Sequence, residues 1–459
     1  MDESACSTLP DGTLVSWYGD DYTGAASVME VLAFSGLSSV LFLDKPTQEQ
    51  LGRFSGYRGI GIAGAARARP PKWMEDNLPS VFRALAGFAA PVSHYKVCST
   101  FDSSPAIGSI GTAIEIGAPI LGGDWHPLLV GAPNIGRYQL FGNLFARADS
   151  LHYRLDRHPT MSRHPVTPMG EADVRLHLAK QTDWPIALID ILTLQKRNSE
   201  QALRNALADG ARIIALDTLD EASLAEAGRL IWENRDNGIF AIGSQGVEYA
   251  LVAHWRNTGL LDRAEHHAHT STEKRVVIVS GSCSPVTASQ IDWARNNGFT
   301  ALRLDAGRAV DAVEWEMEIG RSVDAALAAL DAGRDPIVFT AEGPDDPATG
   351  RFREAIDASG EPADAVNARV GSGLGQVLRG VMQKAGIERG VIAGGDTSSH
   401  GTAELGVYAL TALAPLAPGA ALCRAHVNDQ IHGAFEIALK GGQMGDRNFF
   451  GLARGGGRI

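Results

Sequence analysis

The chain has 459 residues, 44% of them hydrophobic and 20% charged, a composition that describes a folded protein with room for two or three domains rather than a disordered one. Its 53 acidic and 41 basic side chains leave a formal net charge of −12, which argues against nucleic acid or an anionic membrane as partner, since both demand basic patches. Cys6, Cys98, Cys283 and Cys423 stand singly, as in a reduced cytoplasmic protein; no apolar run is long enough to cross a bilayer, and Met1-Asp2-Glu3-Ser4 opens no signal peptide.

Short apolar runs alternate with Ala/Leu/Glu/Arg-rich stretches along the whole chain. Strands are predicted at 14–18, 40–43, 59–62, 94–97, 186–189, 213–216 and 240–242, and then at 276–279, 302–304, 337–339, 391–393 and 435–439. Such alternation implies βαβ units, so the predicted class is α/β, with two domains, each a mainly parallel sheet flanked by helices. The polar stretch from Asp262 to Lys274 lacks periodicity and sets the boundary, giving domains at 1–265 and 274–459. Inside it, His266, His267 and His269 have no acid or thiol beside them and read as solvated rather than metal-binding. From Gly122 to Pro168 the pattern is irregular and rich in His, Arg, Gly and Pro, as in a lid or binding loop. No internal repeat is visible.

The first strand delivers Gly19-Asp20-Asp21-Tyr22-Thr23-Gly24 to a turn before a helix that starts near Ala25. Open α/β sheets bind ligands beyond the carboxyl ends of their strands. Paired carboxylates there suit a general base, or a hold on substrate hydroxyls or a metal. The plainer reading is that Asp20 and Asp21 cap the helix. After the third strand, Arg67 and Arg69 offer guanidinium groups suited to a carboxylate. After the fourth come Lys96, Cys98, Ser99, Thr100, Asp102, Ser103 and Ser104, before a helical start at Thr112. A cation, hydroxyls and helix N–H groups together would make an anion pocket. Three such strand-end clusters point to a small, hydroxylated, anionic ligand.

The second half repeats the strand-then-turn pattern with small residues, at Ser280-Gly281-Ser282-Cys283-Ser284, at Gly394-Gly395-Asp396-Thr397-Ser398 and at Lys440-Gly441-Gly442. Backbone amides in such turns cradle phosphates, and Asp396 and Thr397 suit Mg²⁺ or a ribose. Each turn alone also reads as an ordinary βα loop. There is no Walker-A run and no set of protein-kinase signatures. Gly371-Ser372-Gly373-Leu374-Gly375-Gln376 imitates a dinucleotide fingerprint, but Gln376 fills the third glycine position and no strand precedes it. Ser398, Ser399 and His400 are adjacent in sequence, which does not make a nucleophile–base pair.

Taken in order, Asp20 to Ala25, Tyr95 to Ser103, Gly243 to Gly246, Val279 to Ser284, Gly394 to Ser398 and Lys440 to Gly442 resemble the four-carbon acid sugar kinase family over nearly the whole chain. Members of that family phosphorylate threonate, erythronate or 3-oxo-tetronate with ATP. The resemblance implies an N-terminal domain for the sugar acid and a C-terminal domain for ATP with its Mg²⁺, closing on one another to assemble the site. Asp20, Asp21 or Asp102 would take the proton of the acceptor hydroxyl. Thr23, Gly24, Arg67, Arg69, Lys96, Ser99, Thr100 and Ser103 would hold the sugar acid. Ser282, Ser284, Gly394, Gly395, Asp396, Thr397, Ser398, Gly441 and Gly442 would hold the nucleotide.

Departures from the family pattern are Gly19 for a common Ala, Asp396 for a common Glu, and Ser103 to Gly108 in place of T-L-R-G-N, the last resembling the oxo-tetronate kinase branch. The Trp125 to Pro127 and Arg157 to Pro165 stretches mark a subgroup, so a branched acceptor such as 3-oxo-isoapionate falls within the expected range. Two rivals are an NAD-dependent sugar-acid oxidoreductase, opposed by the missing fingerprint, and a non-catalytic sugar-acid or nucleotide sensor, opposed by the concentration of acidic, basic and anion-binding groups. Substrate stereochemistry, the identity of the base, the metal ligands and the oligomeric state, a homodimer included, are left open by the sequence.

Overall fold

The predicted apolar runs become the buried strands of two units, Met1–His266 and His267–Ile459, in a computed structural model that describes residues 8–148, 151–164, 166–196, 198–236, 238–262, 273–428 and 435–457. The first unit contains β1 (Val15–Gly19), β2 (Ser39–Phe42), β3 (Gly59–Ala63), β4 (Val92–Lys96), β5 (His126–Leu129), the hairpin strands β6 (Arg137–Leu140), β7 (Asn143–Ala148) and β8 (Leu151–Arg154), then β9 (Ile186–Ile189), β10 (Ile213–Leu216) and β11 (Ile239–Gly243). Strands β6 to β8 form a separate antiparallel sheet. The others make a parallel sheet in the order β2-β3-β1-β4-β11-β5-β10-β9. Its central strands are buried along their whole length, as parallel strands covered on both faces must be.

One of the covering helices, Pro71–Ala86, begins with a proline in its first turn and turns Met74, Leu78, Phe82 and Leu85 inward at three- and four-residue spacing. Phe82 packs edge-on against Tyr18, Tyr95 and Phe240. Full burial of a side chain this size stabilises the fold by about 1.5–3 kcal/mol.

The second unit contains β12 (Val277–Ser280), β13 (Phe299–Arg303), β14 (Asp335–Phe339), β15 (Arg389–Ala393), β16 (Val407–Ala417), β17 (Ala420–Val427) and β18 (Phe435–Lys440). They run in the order β13-β14-β12-β15-β18-β17-β16, parallel as far as β18 and antiparallel after it. Around the first strand of each unit the order is the same: second, third, first, fourth. Connections therefore leave β1 and β12 in opposite directions on their two sides, the switch that opens a crevice at the carboxyl end of an α/β sheet. No repeat is legible in the sequence, yet the wiring recurs.

The structure corrects two expectations and bears out the rejection of a dinucleotide turn. The stretch from 122 to 168 is less irregular than its composition implies, because it supplies β5 and the hairpin sheet. Pro127 disguises β5, and the turn at Phe141-Gly142 puts both residues at positive φ (50° and 80°), the twist a two-residue hairpin favours. Asp217 accepts from both of their N–H groups. Next, Gly371, Gly373 and Gly375 lie inside the helix Ala363–Ala385, which rules out a dinucleotide turn there. A Cβ on Gly373 would stand 2.3 Å from the Trp315 ring and one on Gly375 2.8 Å from Gly401 Cα, so these glycines admit close helix packing. Finally, β16 and β17 form an antiparallel hairpin that the predicted strands omitted. Among the described residues no helix is long and apolar enough to cross a membrane. Cys98 and Cys283 are free thiols; Cys6, the N-terminal tetrapeptide, and His266, His267 and His269 lie outside the described residues.

Candidate active site

Register brings the first cluster together. Gly19 pairs with Ala63 of β3 and with Lys96 of β4, so three strands end level. Asp20 N then donates to Lys96 O and Arg67 N to Asp20 O, each at 3.0 Å. The Arg67 guanidinium grips Asp20 side-on, Nε to Oδ2 at 3.2 Å and Nη2 to Oδ1 at 2.6 Å, and Nη2 also reaches Asp21 Oδ1 at 2.7 Å. Asp21 caps the helix Tyr22–Phe34: Oδ1 accepts from Gly24 N at 2.9 Å and Oδ2 from Thr23 Oγ1 at 2.7 Å. The capping reading thus holds for Asp21 and fails for Asp20, which is 2% exposed and spends its carboxylate on Arg67. A Cβ on Gly24 would lie 2.3 Å from Asp21 Oδ1, 2.9 Å from Lys96 Nζ and 3.4 Å from Arg67 Nη2. Only glycine fits where these charges crowd the backbone.

The two carboxyls differ in acidity. Burial pushes Asp20 above the usual range against the pull of Arg67. Burial also pushes Asp21 upward, but Arg67 and then Lys96 outweigh it and hold Asp21 below that range. Burial depresses the Lys96 ammonium despite Asp21 and Asp20. Neighbouring acids pushed apart in this way take different roles.

The loop after β4 carries Phe101 at φ 58°, a left-handed, fully buried, non-glycine position of the kind that clusters at functional sites. Thr100 Oγ1 donates to Asp102 Oδ1 at 2.7 Å and lies 3.0 Å from Cys98 Sγ. Asp102 and Ser99 are half-buried. Ser103 turns inward: its hydroxyl donates to Phe101 O and meets His177 Nε2, each at 3.0 Å, while Gln181 Nε2 donates to it at 2.9 Å. Arg69 is exposed, with its guanidinium over the Trp73 ring at 5.6 Å, and makes no bond to the aspartate pair.

The helix start expected to join an anion pocket does not. Gln181 Oε1 accepts from Ile110 N (2.7 Å) and Gly111 N (3.4 Å), and Ser109 Oγ from Thr112 N (3.1 Å), so these donors are already taken.

In the second unit the turns after β12, β15 and β18 meet, because β15 pairs with both other strands. A Cβ on Gly281 would stand 2.2 Å from Thr397 Oγ1, and one on Gly442 2.9 Å from Ser282 Oγ. Gly394 caps the helix Gly395–Glu404 at φ 123°, and Ser398 Oγ donates to its carbonyl at 2.6 Å. Ser284 Oγ donates to Gly442 O at 2.6 Å. Gly441 is half-buried and Gly395 exposed, while the Asp396 side chain lies outside the described residues. Gly394→Ala is expected to destabilise the second unit by about 1–3 kcal/mol in thermal melting, since that φ suits only glycine and the new Cβ would sit 2.9 Å from Thr397 Oγ1.

Beneath these turns lies Lys440, the last residue of β18, fully buried. It belongs to a quoted motif, but its role escaped the sequence reading; the visible signal was a lysine closing an otherwise apolar strand before two glycines. Its ammonium donates to Thr287 Oγ1 (3.0 Å), Gly441 O (2.9 Å) and Gly442 O (3.3 Å) and has no carboxylate partner among the described residues. Burial lowers its pKa to about 8. A glycine-walled cradle at a helix start, with an uncompensated cation below it, fits phosphate. Among the described residues no group of three or more His, Cys, Asp or Glu could hold a metal ion.

Both units match known protein families. A sugar-binding N-terminal domain family matches residues 15–251 and a nucleotide-binding C-terminal domain family matches residues 277–450. The chain is 49% identical over 447 residues to the 3-oxo-isoapionate kinase of Paraburkholderia graminis, covering 97% of this chain and 95% of that one. It is 26% identical over 447 residues to the 3-oxo-tetronate kinase of Pseudomonas savastanoi, covering 96% of each. The crystal structure of a Haemophilus influenzae DUF1537 protein superposes with a TM-score of 0.71 at 25% identity, covering 96% of this chain and 100% of that one. Two tandem family domains and near-half identity to a curated sugar-acid kinase make the chain a member of the four-carbon acid sugar kinase family.

Proposed function

We propose that the chain transfers the γ-phosphoryl group of ATP to a terminal hydroxyl of a small 3-oxo sugar acid, with 3-oxo-isoapionate as the preferred acceptor. The observation that carries the choice of acceptor is the identity gap: 49% to the 3-oxo-isoapionate kinase, against 25–28% to the 3-oxo-tetronate kinases. The acceptor oxygen attacks the γ-phosphorus, the bond to the β-phosphate bridging oxygen breaks, ADP leaves, and the hydroxyl proton passes to a carboxylate. Such a step needs alignment and charge neutralisation more than a strong base.

Asp21, ionised and partly exposed, orients the hydroxyl and takes its proton. Asp20 serves by fixing Arg67, and the Lys96 ammonium steadies both acids. The amides of the Ser282 and Gly395 turns and the Lys440 ammonium hold the phosphates. Ser282 and Thr397 are the described side chains of this cradle that would hold the Mg²⁺ accompanying the nucleotide, which would supply further charge neutralisation. ATP supply and free thiols both fit a cytoplasmic setting.

ADP release measured across 3-oxo-isoapionate, 3-oxo-tetronate, threonate and erythronate tests this reading. The expected result is kcat/KM at least about tenfold higher for 3-oxo-isoapionate than for any linear acid. No ADP from any sugar acid, or nicotinamide-dependent absorbance instead, would overturn it.

A further inference from the structure

We infer that Arg137 is the residue that binds the carboxylate of the acceptor and makes the enzyme select an acid; the inference rests on the sugar-acid reading above. Arg137 opens β6, and a bridge to Ala132, in the loop that follows the carboxyl end of β5, pins it there. Its environment is unlike that of the other cations at this end of the unit. Arg67 is spent on two aspartates, Lys96 lies against the same pair, and Arg69 stacks on Trp73 in the open. Arg154 and Arg175 are paired with Asp156 and Asp173.

Arg137, half-buried, has no carboxylate within ion-pair distance among the described residues. Nη1 makes only long contacts, to Ile135 O (3.5 Å), Gly136 O (3.3 Å) and Arg147 O (3.5 Å). Among the described residues Nη2 has no partner, and Nε is shielded from water with none either. Nε and Nη2 form one edge of the guanidinium, the same edge by which Arg67 holds Asp20. An arginine presenting that edge is built for a carboxylate taken bidentately, and a buried donor without a partner is costly unless a ligand serves it.

Its location matches that task. The charges Arg137 senses are those of Cys98, Arg147 and Asp102, and burial depresses it in the absence of a counter-ion. The Cys98 thiol in turn senses Asp102, Arg67 and Lys96. Arg137 and the aspartate cluster thus act on the same Cys98 thiol, and the inference assigns the acceptor's carboxylate to Arg137 and its reacting hydroxyl to Asp21.

The test compares the wild type with Arg137→Gln and Arg137→Lys, using the acid and its neutral carboxamide as acceptors. In Arg137→Gln the KM for the acid is expected to rise about 30- to 100-fold, the KM for ATP to stay within about twofold, and the preference for acid over carboxamide to collapse. Arg137→Lys keeps the charge without the bidentate edge and should fall between the two. An unchanged acid KM with undiminished acid preference in Arg137→Gln overturns the inference. Failure of the wild type itself to release ADP with any acid overturns the functional reading instead. If neither variant folds, phenylglyoxal labelling of the wild type, read at Arg137 by peptide mass spectrometry, decides: protection by the acid but not the carboxamide supports the role, and no protection by saturating acid ends it.

Discussion

Asp21→Asn is expected to lower kcat by about a thousandfold while lowering the melting temperature less than Asp20→Asn does, since Arg67 keeps its side-on grip on Asp20. Asparagine caps a helix as well as aspartate does, so its Oδ1 can still accept from Gly24 N, while the amide NH2 that replaces Oδ2 donates to Thr23 Oγ1 instead of accepting from it. What disappears is the negative charge that orients the acceptor hydroxyl and receives its proton. Asp20→Asn should behave differently. It takes the buried side-on partner from the half-buried Arg67, leaving it only Asp21, and breaking a buried ion pair from one side costs about 3–5 kcal/mol. Loss of turnover there should come with an early thermal transition in the first unit. Nucleotide titration of both variants should match the wild type, because the phosphate cradle belongs to the second unit. Near-normal turnover in Asp21→Asn would refute its assigned role.

Lys440→Met should weaken nucleotide binding by about 30- to 100-fold, measured by titration calorimetry, without destabilising the free protein. The sign of the second effect follows from linkage. The amine titrates near 8 in the folded chain against 10.5 for an ordinary lysine, so between these values the unfolded chain binds more protons and stability rises with pH. Below about pH 8 the folded protein carries the full burden of a buried ammonium, on the order of 3 kcal/mol, which methionine removes. Phosphates favour the charged amine. Wild-type nucleotide affinity should accordingly be level below pH 7 and fall as pH rises through 8, while Lys440→Met stays flat across the same range. A wild-type affinity independent of pH from 7 to 9.5 would exclude the ammonium from the site.

Much of this was legible in advance where local chemistry and topology agree. An apolar run followed by Gly19-Asp20-Asp21 announced a strand end with acids, and the parallel register that levels β1, β3 and β4 follows from the βαβ alternation. What stayed hidden depends on contacts distant in sequence. Nothing local says that Gln181 fills the N–H groups at Ile110 and Gly111, that Arg69 lies over Trp73 while Arg67 turns in, or that Arg137 has no counter-ion among the described residues. The β16–β17 hairpin was missed because Thr411 to Ala421 is rich in alanine and proline, residues with little strand preference, and its register is broken by bulges.

The hairpin sheet β6 to β8 branches from the first unit between β5 and β9 as a sheet of its own, tied to the end of β10 through Gln139, which bonds Thr218 and Leu216. The aspartates and Arg67 sit instead on the turns of β1 and β3, whose positions the sheet dictates. Recognition of the acceptor's tail and activation of its hydroxyl are thereby written on separable lengths of chain. Evolution, or an engineer, can rewrite the hairpin to admit a new acid and leave the machinery of transfer untouched.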